Sequence, residues 1–164
     1  MSNGYYYSGI ACLNGHELDG YVGFVSRDSP PRPIDRFCPM CGEPTVTKCE
    51  HCQTDIRGKV TDGFDTSPWY VAANCHSCGQ PYPWTRRKTE ALAEAISEMD
   101  ELDPAEREKL KQSIPDIVAQ TPKSETAALR FKKAVAKAGS VSGEVLMKVL
   151  TSVAAEGVKK LLGM

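Results

Sequence analysis

Seven cysteines and one histidine lie in the first half of the chain as four closely spaced pairs, which we call clips. One clip has the spacing C-x3-H and three have the spacing C-x2-C. Thiolate sulfur and imidazole nitrogen at these spacings are typical ligands of tetrahedral metal sites. Eight such ligands predict two four-coordinate sites, and we expect two Zn²⁺ ions per chain. The clips are, in chain order, Cys12 with His16, Cys38 with Cys41, Cys49 with Cys52, and Cys75 with Cys78.

The clips repeat with a period of 37 residues, which separates Cys12 from Cys49 and Cys38 from Cys75. A fixed internal period indicates a duplicated structural unit. If each unit closes its own site, the first clip pairs with the second and the third with the fourth, in tandem. A nested pairing (outer clips together, inner clips together) and a cross-braced pairing (first with third, second with fourth) also fit the spacing.

Disulfides and iron are the competing explanations for these cysteines. An odd number of cysteines leaves one without a disulfide partner, and the first residues lack the basic start and apolar segment of a signal peptide. We therefore expect a cytoplasmic, reducing environment, in which such spacings hold a metal. Iron competes with zinc because residues 38–42, CPMCG, are similar to a rubredoxin turn. The histidine ligand favours zinc.

A catalytic zinc site keeps one coordination position open for water and has a general base nearby. Here the eight ligands fill both coordination shells. The dipeptide His16-Glu17 matches neither the H-E-x-x-H pattern of proteases nor the H-x-E pattern of deaminases. We therefore predict structural metal sites, no catalytic residues and no enzymatic activity.

Large aliphatic side chains are scarce before Trp84, so the first half of the chain cannot build a large hydrophobic core. Metal binding then supplies the folding free energy. Short segments rich in aromatic and β-branched residues lie between the clips, at 5–7, 21–25, 45–47 and 69–71. We predict a tandem zinc-ribbon domain over residues 1–85, made of two small metal-bound β units.

Alanine, lysine, glutamate and leucine dominate the chain after Trp84. Helical periodicity and cap signals predict about four helices, at 86–101, from Asp103 with an interruption at Pro115, at 121–138 before Gly139, and at 141–162. Charged residues interrupt the last helix, so it is not a membrane span. We expect an α-helical domain over residues 86–164 and an α+β protein overall.

The two parts of the helical half carry opposite net charges. Residues 89–120 carry nine acidic and three basic side chains, whereas residues 121–164 carry eight basic and three acidic ones. Opposite charges favour packing of these two parts, either within one chain or between neighbouring chains. Because a helical domain of this size is small, self-association would help to stabilise it. We expect a homo-oligomer formed through residues 89–164.

The segments around the clips resemble an uncharacterised bacterial zinc-ribbon family, a family of unknown function. The resemblance rests on CLNGH at 12–16, FCPMCG at 37–42, CEHC at 49–52 with IRG at 56–58, and CHSCGQPYPWT at 75–85. It includes residues that are not ligands, such as Asn14, Gly58 and Trp84. The resemblance implies a metal-bound fold and a bacterial or phage source, and it implies no activity.

Two classes of function follow. The first is a non-enzymatic interaction or assembly module, in which the ribbons recognise a protein partner and the helices self-associate, within a bacterial stress or phage-defence complex. Aromatic residues near the clips are its candidate anchors: Tyr5, Tyr6, Tyr7, Trp69, Tyr82 and Trp84. The alternative is nucleic-acid binding through Trp84, Arg86, Arg87 and Lys88. A net charge of −1 disfavours the alternative.

Overall fold

The computed structural model describes residues 6–22, 34–60, 69–118, 121–154 and 156–163. Tyr5 and residues 23–25 of the second predicted strand lie outside the described residues. The chain forms two compact units, which we call the metal-ligand unit (residues 1–85) and the helical unit (residues 86–164). None of the helices in the described ranges has the length and apolarity that crossing a bilayer requires.

The metal-ligand unit is built on one antiparallel four-stranded sheet. Its strands are β1 (Tyr6–Cys12), β2 (Glu17–Val22), β3 (Thr45–Val46) and β4 (Arg57–Val60). β1 pairs with all three of the others, so it is the common strand of the sheet. Within the part of the unit that the structure describes, strands from both copies of the duplicated sequence therefore lie in one sheet. The first repeat contributes β1 and β2, the second contributes β4, and all of them belong to one sheet.

The two repeats touch at a pair of corresponding glycines. Gly20 follows the first clip in β2 as Gly58 follows the third clip in β4. A Cβ atom at Gly58 would lie 2.3 Å from the carbonyl oxygen of Gly20 and 2.8 Å from that of Tyr7. Both distances are far shorter than a van der Waals contact. A glycine at residue 58 is what allows β4 to lie this close to its neighbours.

The core of the metal-ligand unit contains few aliphatic side chains. Tyr82 stacks on Trp84 with ring centroids 4.5 Å apart, and the Trp84 indole donates a hydrogen bond to the Ala72 carbonyl at 2.9 Å. Two of the buried residues are metal-ligand cysteines. The buried residues of this cluster are Ala11, Cys49, Ile56, Cys75, Tyr82 and Trp84. Among the described residues this apolar cluster is small, which is the condition under which the sequence led us to expect that metal binding supplies folding free energy.

The helical part begins inside the Pro-Tyr-Pro-Trp-Thr segment rather than after it. The helices are α1 (Pro83–Ser97), α2 (Pro104–Gln112), α3 (Ile114–Val118), α4 (Ser124–Val153) and α5 (Glu156–Leu162). Gly139 has φ 77° and ψ −173°, which divides α4 into two helical segments at the predicted stop. The predicted helix at 141–162 is also divided, because Ala154 is extended (φ −65°, ψ 136°).

The predicted start of α2 is present in full. The Asp103 side chain accepts a hydrogen bond from the Glu106 amide at 2.9 Å, and the Glu106 carboxylate accepts one from the Asp103 amide at 3.0 Å. This reciprocal pair satisfies amides that the first turn leaves without helical partners. The interruption predicted at Pro115 falls two residues earlier, at Ser113, so that the proline occupies the first turn of α3, where its missing N–H costs nothing.

Residues from all five helices fill the core of the helical unit, with Phe131, Leu146 and Leu150 at most 1% exposed. Its acidic and basic parts meet within one chain. Lys137 forms an ion pair with Glu106 at 2.5 Å, and the Ser142 hydroxyl donates to the Glu101 carboxylate at 2.7 Å. Both contacts are on the surface, where such interactions contribute little stability. The apolar core, not the charge pattern, holds this unit together.

Candidate metal centres

The three C-x2-C clips have the same backbone turn. In each, the amide of the first cysteine donates to a carbonyl five residues later, and the amide four residues later donates back to that cysteine's carbonyl. The first set of bonds joins Cys38 to Glu43, Cys49 to Thr54 and Cys75 to Gln80, at 2.8 to 2.9 Å. The second joins Gly42 to Cys38, Gln53 to Cys49 and Gly79 to Cys75, also at 2.8 to 2.9 Å. The turn fixes both cysteines of a clip on one side of the backbone.

The residue after the second cysteine of each turn has positive φ. Gly42 and Gly79 both have φ 73°, as the C-x2-C-G pattern predicts. The third clip has Gln53 at this position, with φ 59°. A side chain in this conformation costs about 1–2 kcal/mol. The Gln53 side-chain amide donates to the Glu50 carbonyl at 3.2 Å, which adds a further hydrogen bond within the turn.

The first clip is the hairpin loop between β1 and β2. Cys12 ends β1, and its amide donates to the His16 carbonyl at 3.1 Å. Gly15, between the two ligands, has φ 81°, and a Cβ atom there would lie 2.8 Å from the Trp84 Cβ atom. Trp84 therefore packs against the loop that holds two ligands of the first site.

The eight predicted ligands lie in two groups of four. Site 1 contains Cys12, His16, Cys38 and Cys41, and site 2 contains Cys49, Cys52, Cys75 and Cys78. Within each group the ligand atoms all lie within 4.8 Å of one another. This is the tandem pairing; the nested and cross-braced pairings are not formed. All seven cysteines are free thiols, so the disulfide explanation does not hold.

The spacing of the ligand atoms fits a tetrahedral metal ion. Around zinc with Zn–S bonds of about 2.3 Å, two sulfurs lie about 3.8 Å apart, and a sulfur and an imidazole nitrogen about 3.6 Å apart. The sulfur–sulfur distances are 3.7 Å for Cys12 and Cys41, 3.8 Å for Cys49 and Cys78, and 3.7 Å for Cys52 and Cys75. The His16 Nδ1 atom lies 3.5 Å from Cys12 Sγ and 3.6 Å from Cys38 Sγ. These five distances agree with those expected between donors at the corners of a zinc-sized tetrahedron.

Hydrogen bonds and neighbouring sulfurs shift the thiol pKa values within site 2. The hydroxyl and amide of Thr54 lower the pKa of Cys52 to about 6. The Gln80 amide acts in the same direction on Cys78, but desolvation and the three neighbouring cysteines raise the pKa of Cys78 to about 12. Four thiols this close cannot all ionise unless a cation neutralises them. A metal ion binding here displaces their remaining protons.

Polar groups other than the ligand atoms themselves contact the sulfurs in both sites. The His16 amide donates to Cys12 Sγ at 3.3 Å, and the Ser77 amide donates to Cys75 Sγ at 3.4 Å. Burial raises the pKa of the Tyr82 hydroxyl, and its hydrogen bond with Cys75 raises it further. Such contacts orient the ligands and stabilise the charge on metal-bound thiolates.

The carboxylate of Glu17, which directly follows His16, makes a structural contact. The Glu17 carboxylate accepts a hydrogen bond from the Val71 amide at 3.0 Å, which ties the segment before the fourth clip to β2. Each group offers four protein donors, which is the number that fills a tetrahedral coordination shell. The arrangement suits metal ions that hold the chain together.

The residues predicted for the nucleic-acid alternative are not equally accessible. Trp84 is only 2% exposed and belongs to the core of the metal-ligand unit, so its ring cannot stack on a base in this conformation. Arg87 is exposed, whereas Arg86 and Lys88 are half-buried. Among the candidate aromatic anchors, Tyr82 is buried as well, while Tyr6 is exposed.

Sequence reasoning missed an apolar surface at the second clip. Phe37 is 58% exposed and Met40 is 63% exposed, and Ile34 nearby in the sequence is also exposed. The corresponding residues of the fourth clip, Asn74 and Ser77, are polar. Because both clips form the same turn, the turn itself does not require apolar residues at these positions. Comparing the residues at matching positions of the repeat would have revealed this difference.

The fold and the two ligand groups define a small α+β protein with two four-ligand clusters of cysteine and histidine that can each hold a metal ion. The chain belongs to the family described as "Uncharacterized protein conserved in bacteria (DUF2321)", whose model matches residues 5–162. This agrees with the resemblance seen in the clip segments. Neither the comparison with curated proteins nor that with solved structures gave a match.

Proposed function

We propose that this protein is a non-enzymatic zinc-binding module for protein interaction and assembly. The observation that carries the proposal is the pair of four-donor clusters, whose spacing suits zinc and leaves no coordination position for a substrate. Zinc is preferred to iron because site 1 includes the His16 nitrogen beside three sulfurs, a common donor set for structural zinc. The metal ions would then stabilise a surface rather than perform chemistry.

The surface proposed to recognise a partner is the tip of the second clip, formed by Phe37 and Met40. Exposed aromatic and methionine side chains are enriched at protein interfaces because they bury large apolar areas on binding. The clip holds them on a turn fixed by two backbone hydrogen bonds and a pair of metal ligands. A rigid turn loses little conformational entropy when it binds, which favours affinity.

The helical unit is proposed to self-associate through apolar side chains on the outside of α4 and α5. Leu129 and Val145 are each 53% exposed, and Leu161 is 39% exposed. Deletion of residues 141–164 would remove core residues such as Leu146 and Leu150 and so unfold the unit. Single substitutions of the exposed residues by glutamine are the better test, because they leave the core intact.

Native mass spectrometry of the purified full chain tests the metal and assembly parts together. We expect two zinc ions per chain and a mass larger than that of one chain. Leu129→Gln, Val145→Gln and Leu161→Gln, tested singly and combined, should reduce the assembled fraction without changing the metal count. A monomeric wild-type chain would refute self-association, and a folded chain free of metal would refute zinc binding.

Partner recognition is tested with a variant of the apolar tip and its matched control. Wild-type chain, the Phe37→Ser/Met40→Ser variant and the Asn74→Ser/Ser77→Ala control would serve as baits in a bacterial lysate. We expect a protein that is retained by the wild type and the control and lost with the Phe37/Met40 variant. Equal retention by all three baits would refute this surface. Membership of a stress or phage-defence complex stays a prediction that the identity of the retained protein decides.

Nucleic-acid binding is the second candidate. It is favoured by one observation in the sheet, where the Arg57 guanidinium lies 4.2 Å from the centroid of the exposed Tyr6 ring. Arginine–aromatic pairs of this kind can stack on bases of single strands. Binding of random single-stranded DNA or RNA that weakens steeply with salt, and that Arg57→Ala reduces, would support this candidate. Absence of binding at low salt would exclude it.

A further inference from the structure

The seven cysteines of the two sites differ in how much of each residue is exposed to solvent. Cys12, Cys38, Cys49 and Cys75 are buried, whereas Cys41 and Cys78 are exposed and Cys52 is half-buried. Water and competing ligands reach an exposed sulfur more easily than a buried one. A hydrogen-bond donor at such a sulfur stabilises its negative charge and disfavours its release from a metal.

Asn14 hydrogen-bonds to two cysteines of site 1. It lies between the ligands of the first clip, and its backbone amide hydrogen-bonds Cys12. Its side-chain nitrogen Nδ2 donates to the sulfur of Cys41, at 3.6 Å, although Cys41 lies 27 residues further along the chain. Asn14 thereby connects one ligand of the first clip with the exposed ligand of the second.

In site 2, Thr54 lies two residues after the ligand Cys52 and is close to its sulfur. Its hydroxyl oxygen lies 3.3 Å from the Cys52 sulfur. The Thr54 carbonyl accepts the Cys49 amide in the turn of the third clip, at 2.9 Å. Since that bond uses the backbone only, valine at this position would keep the turn and remove the hydroxyl.

We propose that Asn14 and Thr54 are positioning residues for the two metal ions, each donating a hydrogen bond to a thiolate that solvent can reach and thereby slowing loss of the metal. The inference rests on the metal binding proposed above and adds to it two residues that are not ligands. It also assigns one residue to each site, so the two sites can be weakened separately.

Competition with a chelator tests the inference on the zinc-loaded full chain. The variants are Asn14→Asp, which keeps the size of the side chain but has no donor, and Thr54→Val, which is isosteric without the hydroxyl. We expect each variant to lose one of its two zinc ions at a chelator concentration about 10–100-fold lower than the wild type requires. Thr54→Ser, which keeps the hydroxyl, should restore retention. His76→Ala, an exposed residue inside the fourth clip, should match the wild type.

Cobalt substitution gives a readout that a general loss of stability would not produce. The absorption bands of Co²⁺ bound to three sulfurs and one nitrogen differ from those of Co²⁺ bound to four sulfurs. Asn14→Asp should change only the bands of site 1, and Thr54→Val only those of site 2. If Asn14→Asp does not fold, Asn14→Ala takes its place with the same expected direction.

Equal chelator midpoints for wild type, Asn14 variants and Thr54→Val would overturn the inference, as would a Thr54→Ser variant as labile as Thr54→Val. These results would leave zinc binding itself intact, because the wild type would still hold two ions. A wild-type chain that binds neither zinc nor cobalt would overturn the proposed metal function as well as this inference.

Discussion

The metal-ligand unit and the helical unit differ in what fills their interiors. Among the described residues, the buried cluster of the metal-ligand unit has six members, and two of them are cysteine ligands. The buried cluster of the helical unit has seventeen members, all apolar. Both units contain about 80 residues, so chain length does not explain the difference.

The comparison shows two solutions to the entropy cost of folding. Ordering a chain costs about 1–2 kcal/mol per residue for the backbone alone. The helical unit offsets that cost with buried leucine, isoleucine, phenylalanine and alanine side chains. Among the described residues, the buried cluster of the metal-ligand unit has Ala11, Ile56 and two aromatic rings instead, and the unit has two groups of residues that can hold a metal ion. The stability of the metal-ligand unit should therefore depend on metal ions, and that of the helical unit should not.

Metal removal should have the largest effect and should affect the two units differently. Structural zinc contributes about 10–16 kcal/mol of apparent binding free energy, so chelation should unfold the metal-ligand unit. Both tryptophans, Trp69 and Trp84, belong to this unit, so their fluorescence reports mainly on it. Far-UV circular dichroism reports mainly on the helices. We expect the fluorescence to change to that of exposed tryptophan while most of the helical signal persists. Simultaneous loss of both signals would contradict independent stabilisation.

A cavity in the helical core should destabilise the helical unit and leave the metal-ligand unit folded. Phe131 is fully buried, and Phe131→Ala should destabilise the helical unit by about 3–5 kcal/mol because it leaves a cavity. Thermal unfolding followed by far-UV circular dichroism measures the loss. Zinc content and tryptophan fluorescence should be unchanged at low temperature. Leu129→Ala, on the exposed side of the same helix, is the control and should have a small effect.

A smaller effect is expected where the two repeats touch. Gly58→Ala would place a Cβ atom against the Gly20 and Tyr7 carbonyls, and relief of that overlap should cost about 1–3 kcal/mol. Urea unfolding of the zinc-loaded chain, followed by tryptophan fluorescence, measures it. Lys59→Ala in the same strand is the control. Equal midpoints for Gly58→Ala and the control would mean that the two repeats are not in close contact.

The smallest effect concerns pH and the cap of α2. The Glu106 amide donates to Asp103 and lowers the pKa of that carboxyl below its usual range. A lowered pKa in the folded state stabilises the helical unit above about pH 4, where the unfolded carboxyl is ionised, and this contribution is lost as the pH falls through the folded value. Asp103→Ala should therefore lower the melting temperature of the helices at pH 7. The difference from the wild type should shrink as the pH approaches 3, and Asp103→Asn, which can still cap, should differ less at pH 7.

Features set by short stretches of sequence could be predicted well. The eight candidate ligands, which the structure places in two groups of four, follow from local spacing, as do the helix start at Asp103 and the break at Gly139. The period of 37 residues favoured the tandem pairing, which the structure has. The positive φ of Gln53 could not be read from its type, because glutamine rarely adopts that conformation. Its position directly after the second cysteine of a C-x2-C clip, which Gly42 and Gly79 also occupy, is the sequence signal for it.

Features that join distant parts of the chain could not be predicted. The burial of Trp84 depends on its contact with Gly15 and its hydrogen bond to Ala72, and nothing in its immediate sequence indicates either one. The sharing of β1 by both repeats was missed for the same reason, since strand pairing is decided by residues far apart in the chain. The exposure of Phe37 likewise depends on what the rest of the fold leaves uncovered.

By itself, the sequence determined which atoms can bind a metal and which segment forms helices, because ligand chemistry and helix periodicity are local properties. The tertiary structure alone decided that the two metal-ligand groups belong to one sheet, that Asn14 reaches Cys41 from another clip, and that an apolar clip tip remains on the surface. These outcomes depend on how close distant residues come in the folded chain, and the order of residues alone does not specify that distance.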